Sequence, residues 1–242
     1  MPDLKADPKR WRVNRRRYLV VKIVIFFKRK PGMSVEDFQK HWRTTHADII
    51  VRLPGIRRYI QSHVLASAYR KGEPVCDAVA ESYFDDTQAM KALSKMPEYA
   101  KVLADEPNFI DGPSMASIIT DEYVIKDVPA PQNAVKSIDF VNRKAGMSVD
   151  DFQKYWRDVH GPLCTAAQAM RRYVQNHTRR SIYDSGRTPA YDGVAMTWFD
   201  DMQALRSAAQ TPEFERLRAD VENFVARDRS PFVLTQEHII LA

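Results

Sequence analysis

The sequence predicts an α+β fold present in two copies, each reading β-α-β-β-α-β, and three observations carry that prediction. The segment Gly32 to His46 recurs as Gly146 to His160 with eleven of fifteen residues identical at a constant offset of 114, and self-similarity of this kind marks a duplicated structural unit. The register runs on through Arg58-Tyr59-Ile60-Gln61-Ser62-His63, matching Arg172-Tyr173-Val174-Gln175-Asn176-His177. After one inserted residue, Phe84-Asp85-Asp86, Pro97-Glu98 and Asn108-Phe109 pair with Phe199-Asp200-Asp201, Pro212-Glu213 and Asn223-Phe224. Second, short runs of Val, Ile and Phe alternate with stretches of helical period. Third, the first strand is apolar on both faces, which implies a second layer.

Taken in order, residues 18–28 read as the first strand, because β-branched and aromatic side chains suit a pleated surface. Pro31-Gly32 turns the chain, Ser34 caps a helix with Asp37 three residues on, and Pro54-Gly55 ends it. Strands follow at 57–65 and 77–84. Asp85 and Asp86 open a helical stretch interrupted near Pro97, and 115–125 forms the last strand. The second copy repeats these at 134–143, 148–169, 171–178, 192–199, 201–225 and 232–241. Two helices on one face of a four-stranded antiparallel sheet make a ferredoxin-like unit. The chain thus divides into a basic arm (1–17), a first domain (18–126), a linker (127–133) and a second domain (134–242).

Composition narrows the function classes. The net charge of +6 belongs mostly to the arm, where seven basic and two acidic side chains give +5 and leave +1 for the rest. A nearly neutral body argues against specific nucleic-acid binding. No apolar run approaches the roughly 20 residues of a membrane span, and the N-terminus lacks a signal peptide's apolar core, so a cytoplasmic location is expected. Cys76 and Cys164 share no metal-ligand spacing. Neither metal nor cofactor is expected, and the partner should be a small molecule.

Candidate chemistry lies on the first helix and second strand of each copy. His46 and His160 fall on the apolar helix stripe, one turn after Trp42 and Trp156. Gly161-Pro162 should loosen the second helix and leave its imidazole accessible. Alternation puts Tyr59, Gln61 and His63 on one face of their strand, opposite Ile60 and Val64, and Tyr173, Gln175 and His177 repeat this opposite Val174. If the apolar side meets the helices, the polar rows face the other copy. The halves would then pack sheet to sheet around a shared apolar cavity. Asp139 stands mid-strand where the first copy has Ile25, and a carboxylate there needs a ligand, a partner or an acid–base role.

The pattern Phe-x-x-His/Tyr-Trp-Arg-x-x-His, Gly161-Pro162-Leu163, Arg-Tyr-[Ile/Val]-Gln-[Ser/Asn]-His and Glu237-His238-Ile239-Ile240 resembles the EthD family of dimeric α+β-barrel proteins, over both copies. The resemblance implies a barrel built within one chain, with the helix and strand histidines bordering a pocket; the barrel would be monomeric or a further homodimer. The expected function is cofactor-free proton transfer on a small unsaturated carboxylic acid or aromatic-breakdown product, by an isomerase or a dehydratase. His160 or His177 would be the base, Tyr173 the oxyanion donor and Arg157 a carboxylate anchor. His46, His63, Tyr59 and Asp139 complete the catalytic candidates; Trp42, Trp156, Arg43, Gln61 and Gln175 are the binding ones. Two alternatives come from other classes: a haem-binding protein or oxidoreductase with a histidine on iron, and a non-catalytic accessory protein that binds a small molecule.

Overall fold

The computed structural model describes residues 21–70 and 72–242. The basic arm lies outside the described residues. The first half supplies β1 (Val21–Phe27), α1 (Val35–His41), α2 (Ala47–Ile50), β2 (Ile56–Val64), β3 (Ala78–Phe84), α3 (Thr87–Leu93), α4 (Tyr99–Phe109) and β4 (Ala116–Asp127). The second supplies β5 (Val135–Val141), α5 (Val149–Tyr155), α6 (Gly161–Ala166), β6 (Arg172–Thr178), α7 (Arg180–Asp184), β7 (Gly193–Phe199), α8 (Met202–Ala208), α9 (Pro212–Val221) and β8 (Phe232–Leu241). Ser34 caps its helix as read from sequence, and Ser148 does the same in the second half, each accepting from the backbone N–H three residues on. No helix of the described residues is long and apolar enough to cross a membrane.

The strands close into one barrel in the order β1-β3-β2-β8-β5-β7-β6-β4. The halves meet edge to edge at two antiparallel seams, β2 with β8 and β4 with β6. Closure leaves no free sheet edge within the ring. Helices cover the outside of each half's sheet.

The barrel interior is packed, and here the structure departs from the expected shared cavity. Val24, Phe26, Val79 and Ile118 of the first half meet Ile138, Phe140, Val194 and Met196 of the second in one apolar cluster. Beside it lies a buried ionic network. Lys22 pairs with Glu122 at 2.6 Å and with Glu81 at 2.7 Å, while Lys136 pairs with Glu237 at 2.7 Å and also with Glu81. Lys22 and Lys136 correspond in the repeat, as do Glu122 and Glu237; Glu81 corresponds to Met196. Burial alone would push the Glu81 carboxyl up, but Lys136 and Lys22 together hold it well below the usual range.

The faces of the second strands are also reversed from expectation. Ile60 and Val64, with Val174, point into the barrel, whereas Tyr59, Gln61 and His63, with Tyr173, Gln175 and His177, point at the helices. Both faces are buried, so alternation alone could not choose between them. What decides is hydrogen bonding: each first helix offers the polar row an indole N–H and, at its π turn, a Trp carbonyl that accepts from the glutamine amide as well as from the backbone.

Candidate active site

Each first helix is broken by one π-helical turn, Trp42–His46 in the first half and Trp156–His160 in the second. Such turns widen the helix and cluster at functional sites. Both halves have one, so Pro162 does not cause it; the proline sits at the start of α6 instead. The side chain of Gln175 donates to the Trp156 carbonyl at 2.8 Å, and Gln61 does so to Trp42 at 2.7 Å. The indole of Trp156 donates to the Tyr173 hydroxyl oxygen at 2.9 Å, and that of Trp42 to Tyr59 at 3.0 Å. With its oxygen held by the indole, the Tyr173 hydroxyl keeps its proton for another acceptor.

Between the second sheet and its own helices lies a cavity of about 410 Å³, within the usual range for small-molecule sites. Ser137 and Asp139 of β5, Tyr173 of β6, Thr197 of β7 and Trp156, His160 and Cys164 of the helices line it, with Arg218, Arg227 and Ser230 the further polar members of otherwise apolar walls. Burial pushes the Asp139 carboxyl up to about 6, against a single hydrogen bond from the Ser137 hydroxyl at 3.0 Å. The His160 Nδ1 lies 2.8 Å from Asp220 of α9, which also accepts from the Tyr155 hydroxyl at 2.7 Å. Burial lowers the His160 pKa while Asp220 opposes the shift. The neutral ring therefore donates from Nδ1 and keeps the Nε2 lone pair. Its ring centre is 6.3 Å from that of Tyr173. Burial pushes the Cys164 thiol up to about 12, which excludes a resting thiolate nucleophile.

The first half has a smaller counterpart of about 150 Å³, bordered by His46, Tyr59 and Ser82, with Ile25 in the place of Asp139. There Asp105 is shared, lying 2.9 Å from both the His46 Nδ1 and the His41 Nε2. The carboxyl in this chamber is Glu106, on the helix.

Of the residues expected at a site, the structure brings Asp139, His160, Tyr173 and Trp156 together around one cavity, and His46 and Tyr59 around the other. The rest stand elsewhere. His177 stacks on Trp156 at 4.5 Å and bonds Gln175, and burial, with the charge of Arg157, lowers its pKa to about 3. His63 stacks on Trp42 at 4.6 Å and is likewise lowered to about 3 by burial, His238 and Arg43. These imidazoles, with Gln61, Gln175 and Trp42, hold the helix on the sheet and border neither cavity. Arg157 lies outside, over the Tyr123 ring and paired with Asp158, and exposed Arg43 stands 3.3 Å from the His238 Nε2. The anchoring role expected of Arg157 is thus unsupported by position. Sequence reading missed Asp220 and Asp105, although both precede the repeated Asn-Phe pair by three residues. Among the described residues no group of three or more His, Cys, Asp or Glu is placed to hold a metal ion.

A closed barrel of two βαββαβ halves, each with a helix-covered chamber, defines the dimeric α+β-barrel class, here completed within one chain. The EthD domain model matches residues 30–113 and 144–228, and the chain belongs to the EthD family. Among solved structures it is similar to an anthrone oxidase-like protein at 10% identity and a TM-score of 0.62, covering 91% of this chain and 93% of that one. A protein from Fusobacterium nucleatum provisionally named a monooxygenase gives 10% identity and a TM-score of 0.59 over 92% and 93% of the two chains. One provisionally named a chlorite dismutase gives 11% and 0.54 over 91% and 96%. At these identities the likeness is one of fold. No curated protein matches the sequence.

Proposed function

We propose that the second-half cavity is the active site of an enzyme that moves protons on a small unsaturated carbonyl compound without metal or organic cofactor. The reaction is an isomerisation, by double-bond migration or cis–trans change, with dehydration as the related outcome. One observation carries this reading: a buried carboxyl poised near 6 borders the same chamber as a phenol and an imidazole, and the smaller chamber has isoleucine in its place. A carboxylate raised to that range is ionised at neutral pH yet basic enough to take a proton.

Asp139 removes a proton from the carbon beside the carbonyl, and the electron pair moves onto the carbonyl oxygen. The Tyr173 hydroxyl, itself buried, donates to that developing oxyanion. The Asp139 carboxylic acid then returns the proton at the conjugated position, which completes the isomerisation with atoms and charge conserved. The lone pair of the His160 Nε2 accepts from a hydroxyl or enol of the substrate, and Asp220 behind it steadies any positive charge.

The test is deuterium wash-in. Small unsaturated ketones and lactones are incubated with the protein in D2O and followed by proton NMR. Exchange beside the carbonyl is expected, and Asp139→Asn should slow it about 100-fold or more, the usual weight of a general base. Unchanged exchange in Asp139→Asn would remove the assignment. A Soret band in the purified protein would replace this reading with the haem one.

A further inference from the structure

We infer that this cavity selects a planar molecule bearing a carboxylate separate from its reacting carbonyl, held at the rim by Arg218, with Arg227 the second rim cation and Phe232 against the ring. The inference rests on the second-half cavity being the active site, and it names the substrate class and the residues that set it. Arg218 and Arg227 are the two cationic side chains in the cavity lining, and both are exposed, so their charges sit at its mouth. Arg218 spends one nitrogen on the Ala209 carbonyl at 2.8 Å and has no carboxylate partner among the described residues. Its remaining N–H groups form a fork that suits a ligand carboxylate. Arg227 is paired with Glu222 at 2.6 Å, which leaves Arg218 the stronger anchor.

Phe232 is 61% exposed yet lines the same cavity. It is the direct partner of Asp139 across the β5–β8 ladder. Opposite residues of an antiparallel pair project from the same face with Cβ atoms about 5 Å apart. A molecule reaching Asp139 therefore passes the Phe232 ring, and an exposed aromatic surface there suits a flat partner. Repeat correspondence puts Leu103, Gly112 and Ser117 at these three positions in the first half. The half with isoleucine in place of Asp139 also lacks both cations and the aromatic ring.

The probe is 4-acetylbenzoate, with 4-acetylbenzamide as its uncharged counterpart, titrated calorimetrically into the full chain. The benzoate should bind more tightly than the amide. Arg218→Gln should weaken the benzoate about tenfold, equivalent to about 1.4 kcal/mol, and leave the amide unchanged; Phe232→Ala should weaken both. Asp139→Asn should bind the benzoate at least as well as the native chain, because one negative charge is removed. Equal affinity for acid and amide, an Arg218→Gln variant with native affinity, or no binding of either compound would overturn the inference. Arg218-dependent binding with wash-in indifferent to Asp139 would sink the proton-transfer reading and leave this one standing.

Discussion

Asp139 bears a cost that the fold must carry. Unfolded, it titrates near the ordinary aspartate value of about 3.9; folded, near 6. Between those values the native state holds the extra proton, so stability falls as pH rises through that window and stays lower above it. The penalty is on the order of 2 kcal/mol once access of cavity water is allowed for. Asp139→Asn should accordingly raise the urea midpoint at pH 8 and leave it unaltered at pH 3.5. A variant that is less stable at pH 8 would mean the carboxylate has partners beyond Ser137. Turnover carries the opposite sign: activity should climb as pH rises through about 6, as the carboxyl ionises, in a profile read from initial rates.

At the scale of elements, the seating of the first helix on its sheet fixes the site. Gly193 of β7 stands directly across from His177, and the Trp156 ring packs over it. A Cβ there would lie 2.5 Å from that ring and 2.6 Å from the Asn176 carbonyl oxygen. Gly193→Ala should cost about 1–3 kcal/mol by overpacking, measured by denaturant unfolding, and should displace the indole that orients Tyr173. The first half carries Ala78 at this position, and there the Trp42 and His63 rings are tilted by 20° where Trp156 and His177 are within 4° of parallel. Much of this was legible beforehand: Ser34 as a cap, strand positions from Val-Ile-Phe runs, and Asp139 as the odd carboxyl. The direction in which Tyr-Gln-His points was not, because a strand buried on both sides gives no polarity to read. The π turns also left no trace in the period, since Trp and His still fall on one stripe.

For the molecule as a whole, each half packs its own helices on its own sheet, but the barrel interior belongs to neither half alone. The interior cluster and the Lys22–Glu81–Lys136 network draw on both. Lys136→Met should destabilise by about 3–5 kcal/mol, because a broken buried pair strands its carboxylates. Circular dichroism and tryptophan fluorescence should report one common unfolding transition for both halves. Separate transitions, or a native urea midpoint in Lys136→Met, would show that the halves fold independently. The duplication and the α+β architecture were readable because repeats and periodicity survive divergence. The location of the two chambers was not, because it depends on which of two buried faces meets the helices.

Joining the two βαββαβ units into one polypeptide frees them from identity. Were the barrel assembled from two copies of a single gene product, any acidic side chain written into one chamber would appear in its twin, and the destabilising ionisation would be incurred twice. Tandem fusion confines that burden to one side. Ile25, the repeat equivalent of Asp139, spares one lobe the charge that its sibling bears.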